Sequence, residues 1–151
     1  MATTVEVVKQ KELAKPFAEV REKAVIHFGE ECKLKSMELF ESFGLPGGLL
    51  PLQDIQEGGF VEETGFVWMI SKKQQYHFKK ADRHCSYAET ISCYLKPKKM
   101  TKISGVKARD MMIWVPINEI SVDDAAEPKI HFKSVGGLSR SFNPELFGRG
   151  A

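Results

Sequence analysis

The residues of this chain that could do chemistry are four histidines, three cysteines, a few serines and a long run of lysines. Ester hydrolysis by a nucleophile needs a hydroxyl, a base that activates it and donors for the oxyanion. The strand-to-helix elbow Gly-x-Ser-x-Gly is absent. Its nearest approximation, Gly137-Leu138-Ser139-Arg140-Ser141, lacks the second glycine and falls in an expected hairpin. His27, His77, His84 and His131 are the available bases, with Ser139 and His131 the pair to test first. A surface or hydrogen-bonded histidine is the simpler reading of each. His84-Cys85, with His77 and Cys93 close by, suggests a metal cluster, but these spacings are not those of zinc ligands. In a strand, His84 and Cys85 would also point to opposite faces. The expectation is therefore no metal, no cofactor and no defined catalytic set.

Cys32, Cys85 and Cys93 form an odd, sparse set without a CxxC spacing. They read as small buried apolar groups in a reducing compartment. Net charge is only +2, but it is unevenly spread. Residues 1–63 carry 7 basic against 12 acidic side chains, and residues 72–109 carry 11 against 2. Lys72, Lys73, Lys96, Lys98, Lys99 and Lys102 are the candidate basic surface, suited to anionic headgroups or to balancing the acidic N-terminal part. With Lys79, Lys80, Tyr76 and Tyr94 they offer a nucleic-acid face. The preference for Lys over the bidentate fork of Arg speaks against that partner.

The elements that must position these groups change character midway. Leu13, Phe17, Val20, Ala24 and Phe28 recur at helical spacing, with Pro16 suited to a first turn and Gly29 to a helix end. Leu34, Met37, Leu39, Phe40 and Phe43 mark a second helix, stopping at Gly44. Phe43 to Pro51 holds three glycines, two prolines and four large apolar residues, the composition of a shaped connector that buries its leucines.

Beyond Pro51 the period falls to two. Gly58-Gly59 reads as a turn, Phe66–Ile70 as a strand covered on both faces, and Tyr76–Phe78 as an alternating strand. Residues 84–95 alternate, Pro97-Lys98-Lys99 turns, and Gly105 begins a connection after Met100–Ile103. Met111–Ile117 reads as the strongest strand, with Pro116 at an edge or bulge. Lys129–Lys133 and Leu138–Phe142 flank a Gly136-Gly137 turn. The fold class expected is mainly β (α+β): N-terminal helices, then an antiparallel barrel or sandwich of about eight strands.

Leu45-Pro46-Gly47-Gly48-Leu49-Leu50-Pro51 closely resembles the hallmark segment of the plant domain of unknown function 538 family. Gly59-Phe60-Val61, Ser104-Gly105-Val106, Trp114 to Ile120, Ile130-His131-Phe132, Gly136 and Phe142 to Phe147 follow in the family's order. The resemblance covers about residues 36–147, which implies a helical extension over 1–35, a β-rich domain over 36–147 and a tail over 148–151. Two proposals have been made for that family, kinship with lipid-binding proteins and a chlorophyll-hydrolysing esterase activity, and neither supplies catalytic residues that match positions of this chain. Many members look secreted, whereas this chain carries no apolar leader, so an intracellular, cytoplasmic location is expected.

The function expected first is non-enzymatic binding of an apolar or amphipathic, lipid-like ligand at an anionic membrane surface. Phe66, Trp68, Tyr87, Met111, Met112 and Trp114 are the candidate lining residues. An ester hydrolase acting on a plant pigment or lipid is the alternative, and an interaction module the third. No nucleic-acid partner is expected. No apolar run is long enough to span a bilayer as a helix.

Overall fold

A computed structural model of the 151-residue chain describes residues 17–150. A short helix α1 (Ala18–Arg21) leads into strand β1 (Val25–His27) and helix α2 (Gly29–Ser42). Eight strands follow: β2 (Glu57–Val61), β3 (Phe66–Ile70), β4 (Gln74–Phe78), β5 (Arg83–Lys96), β6 (Lys99–Asp110), β7 (Ile113–Val122), β8 (Ile130–Ser134) and β9 (Ser139–Phe142). A 3-10 turn over Pro144–Phe147 closes the chain. The start of the expected first helix, from Leu13 through Pro16, lies outside the described residues, as does Ala151.

All nine strands form one antiparallel sheet in the order β1-β2-β3-β5-β6-β7-β8-β9, with β4 added against β5. The long β5 carries β4 on its Arg83–Tyr87 half and β3 on its Thr90–Tyr94 half. The two ends of the path, β1 and β9, are not paired with each other, so the sheet is open where a barrel was one expectation.

Four features differ from the sequence reading. The first helical stripe stops at Arg21, and Val25-Ile26-His27 pair with β2 instead. The β-branched Val25 and Ile26 suit that ladder better than a helix. Gly29 has φ +60 but opens α2 rather than ending a helix. Gly58-Gly59 lie inside β2 rather than at a turn: a Cβ on Gly58 would meet Cys32 Sγ at 2.4 Å, and one on Gly59 would meet the Trp68 ring at 2.3 Å. Gly105 interrupts nothing; β6 runs through it, and register shifts on both flanks take up the irregularity. Pro116 sits beside Ile117↔Ser134, the β7–β8 pair that lies beyond the register shift between Ile117 and Glu119.

One face of the sheet, the inner face, packs on α2 and the connector. Phe40, Leu45, Leu49, Leu50, Leu52 and Ile55 join Val67, Met69, Tyr87, Cys93, Met100, Ile120 and Ile130 in a single buried cluster. Phe147 closes it, with its ring centroid 5.0 Å from those of both Phe78 and Phe132. The leucines of the connector are buried, as its composition requires. The other face of β3 is covered too: Phe17, Val61, Trp68 and Ile70 make a second cluster with Val20, Ala24 and Ile26. That explains the unbroken apolar run Phe66–Ile70.

Candidate functional site

The register places three hairpin tips at one end of the sheet. The β6–β7 ladder closes at Asp110↔Ile113, leaving Met111-Met112 as a two-residue loop. Val135 N–H donates to Pro116 O, which sets the β8–β9 tip beside it. Arg83 Nη1 lies 3.8 Å from Asp110 Oδ2, which brings in the β4–β5 turn. Asp110 is buried and accepts two hydrogen bonds from Arg140, at 2.7 and 3.1 Å. That guanidinium holds the Asp110 carboxyl below the usual carboxylate range, with Arg83 adding to the effect.

The β6–β7 tip is apolar and unburied. Met111 is 84% exposed, Met112 81% and Ile113 64%, with Trp114 beside them; Val135 and Leu138 project from the neighbouring tip. Met111 and Met112 both have positive φ, 48° and 70°, where asparagine and glycine are the usual residues. Two side chains are thus held in a costly backbone form while also exposed to water. Arg109 pairs with Trp114, and Lys107 with Pro116, on the outer face. Lys79 and Lys80 sit in the adjoining turn. Among the described residues no carboxylate lies within salt-bridge distance of Lys79, Lys80, Lys107 or Arg109.

The six candidate lining residues do not surround one cavity. Trp68 is fully buried and borders a groove of about 370 Å³ with Cys32, Ser36, Leu39, Phe60 and Val67. Trp114 borders a separate open cleft of about 440 Å³ with Lys73, Lys107 and Gly105. Tyr87 is in the core, its hydroxyl directed at Leu49 O 3.4 Å away, and Phe66 packs between Trp68 and Tyr94. Met111 and Met112 stand exposed in the hairpin loop, because the strand expected through Met111–Ile117 begins only at Ile113. The candidate basic surface is divided as well. Lys96, Lys98 and Lys99 lie at the β5–β6 hairpin, far along the sheet from Met111, and Lys98 is engaged by Asp124. Lys102 stands 5.5 Å over the Tyr94 ring, and Lys72-Lys73 join β3 to β4.

A third arrangement sits on the outer face of β8. His131 Nδ1 is 2.6 Å from Ser141 Oγ, and its Nε2 is 2.7 Å from Asp123 Oδ1. The serine that meets His131 is Ser141, not Ser139, which pairs with Lys133. The cysteines are unsuited to nucleophilic work. Burial pushes the Cys85 thiol up to about 11 and the Cys93 thiol up to about 12, and raises Cys32 too.

A family model described as a protein of unknown function, DUF538, matches residues 36–148. The chain belongs to the DUF538 family. The match begins inside α2, so the DUF538 region here includes β2 through β9, the connector and the Met111-Met112 tip, but not β1. No curated protein and no solved structure matches the chain. Among the described residues no helix is long and apolar enough to cross a membrane. Sequence reasoning missed Lys107, Arg109, Asp123 and Ser141 as site residues. All four become neighbours of other site groups only through cross-strand register, for which no local motif exists.

Proposed function

We propose that this DUF538 protein docks on anionic membrane surfaces, inserting the Met111-Met112 tip among lipid headgroups. The observation that carries this reading is the strained, exposed apolar hairpin set beside four cationic side chains without a carboxylate partner. Near an anionic surface each cation contributes roughly 1 kcal/mol. Burying a methionine side chain contributes a further ~1.5–3 kcal/mol. The two effects are comparable, so salt weakens binding without abolishing it. Methionine and tryptophan suit the irregular, half-wet boundary of a bilayer. The apolar groove beside Trp68 supports a related role, shelter for one acyl chain of a docked lipid.

The test is sedimentation with vesicles of phosphatidylcholine, with and without phosphatidylserine. Binding that requires phosphatidylserine and is lost in Met111→Asp/Met112→Asp supports the reading. Equal sedimentation of the wild type and that variant sinks it.

The Ser141–His131–Asp123 chain favours a second reading, an ester hydrolase. A histidine bonded to both a hydroxyl and a carboxylate is the arrangement that activates serine. Here Ser141 is on a strand rather than an elbow, so the oxyanion donors would have to come from elsewhere. Turnover of p-nitrophenyl acyl esters that Ser141→Ala removes, and Ser139→Ala leaves, supports it. Activity that survives Ser141→Ala rejects it.

A further inference from the structure

We propose that His77, Asp82 and His84 form a surface site for a late first-row divalent metal, Zn²⁺, Cu²⁺ or Ni²⁺. His77 and His84 are cross-strand partners in the β4–β5 ladder. Their rings stack with centroids 4.0 Å apart and planes within 3° of parallel. The turn between the strands returns Asp82, at φ +50, so that its Oδ1 lies 2.9 Å from His77 Nε2. One donor atom from each of the three residues lies within 4.8 Å of the other two. Four-coordinate zinc with bonds of about 2.0–2.1 Å sets its ligands roughly 3.4 Å apart. Binding unstacks the two imidazoles, turning the rings so that their in-plane lone pairs, parallel in the stack, converge on one ion, and the metal takes the place of the hydrogen between His77 Nε2 and Asp82 Oδ1.

The donor set selects the metal class. Two imidazoles and one carboxylate suit zinc, copper and nickel, whereas calcium and magnesium require a shell of oxygens that one carboxylate does not supply. Lys79, Lys80 and Arg83 flank the ligands in sequence, and Arg109 lies on the adjoining strand. Coordinate bonds to nitrogen must therefore outweigh this positive surrounding, which a purely ionic cation cannot do. Arg83 is drawn toward Asp110, away from the trio.

The test is calorimetric titration of the tag-free full chain with zinc chloride and copper chloride, alongside calcium and magnesium. Nuclear magnetic resonance would map the residues that Cu²⁺ broadens. The expected result is one equivalent of zinc or copper bound, with broadening centred on the β4–β5 hairpin. His77→Ala and His84→Ala should each weaken binding by about tenfold or more. Asp82→Asn should weaken it less. Both histidines lie toward the surface, so the variants are expected to fold, which circular dichroism would confirm. Absence of binding, or equal binding by the His77→Ala/His84→Ala double variant, overturns the proposal and leaves the cluster a surface ion pair.

Discussion

Gly59 lies directly against the indole of Trp68 across the β2–β3 ladder, so close that a Cβ there would stand 2.3 Å from Cη2. Trp68 is fully buried and stacked on Phe17 with centroids 5.1 Å apart, so its ring cannot move without disturbing that packing. Gly59→Ala is therefore expected to destabilise the fold by about 1–3 kcal/mol, the usual cost of overpacking. Urea denaturation followed by tryptophan fluorescence measures it. An unchanged midpoint would mean that the second core is looser than its contacts imply.

The same indole is anchored by Glu57, whose Oε2 accepts from Trp68 Nε1 at 2.9 Å and from Arg21 Nη1 at 2.6 Å. The Arg21 hydrogen bonds hold the Glu57 carboxyl below the usual range; burial opposes this, and Trp68 adds to the lowering. A depressed folded-state value makes the contribution present above the unfolded carboxyl value of about 4.3, and lost as pH falls through the folded value. Glu57→Gln should thus cost about 1 kcal/mol at neutral pH, allowing for partial exposure. The difference from wild type should shrink below about pH 4. Thermal melts across pH test the sign: a gap that widens on acidification contradicts it.

How much of this was legible in sequence depended on whether an element was specified locally. The apolar stripe Leu34 to Phe43 of α2, though not its start at Gly29, the buried connector and the alternation of Cys85, Tyr87, Ile91, Cys93 and Leu95 follow from spacing and composition. The sites depend on register, which one residue of loop length decides. A two-residue Gly136-Gly137 loop would set His131 opposite Phe142. The actual three-residue loop, with Gly137 at φ +85, sets it opposite Ser141. The Met111-Met112 turn was illegible for another reason: neither residue is one that a turn with positive φ selects. Local preference is violated there, at two side chains more than four-fifths exposed, and such violations are expected at functional or strained positions.

The three cysteines are expected to be silent toward a thiol reagent in the native state. Cys32, Cys85 and Cys93 are all buried, and burial raises each thiol, so the reactive thiolate is scarce as well as shielded. Ellman's reagent should label none in buffer and all three in guanidinium. Rapid native labelling would point to opening of the α2–β2 groove, where Cys32 lines the wall.

The hairpin tip offers the sharpest prediction, because stability and function should move in opposite directions. Replacing Met111-Met112 by Asn-Gly gives the loop the residues its positive φ angles favour. Relief of strain at two positions should raise stability by about 1–2 kcal/mol. No buried contact is lost, since both side chains are more than four-fifths exposed. The same exchange removes the apolar groups proposed to enter the headgroup layer, leaving only the cations. Binding to phosphatidylserine vesicles should fall sharply, and what remains should disappear in high salt. A variant that is more stable yet still binds in high salt would show that the methionines are not the anchor. Loss of both stability and binding would instead place Met111 and Met112 in a packing role that their exposure denies.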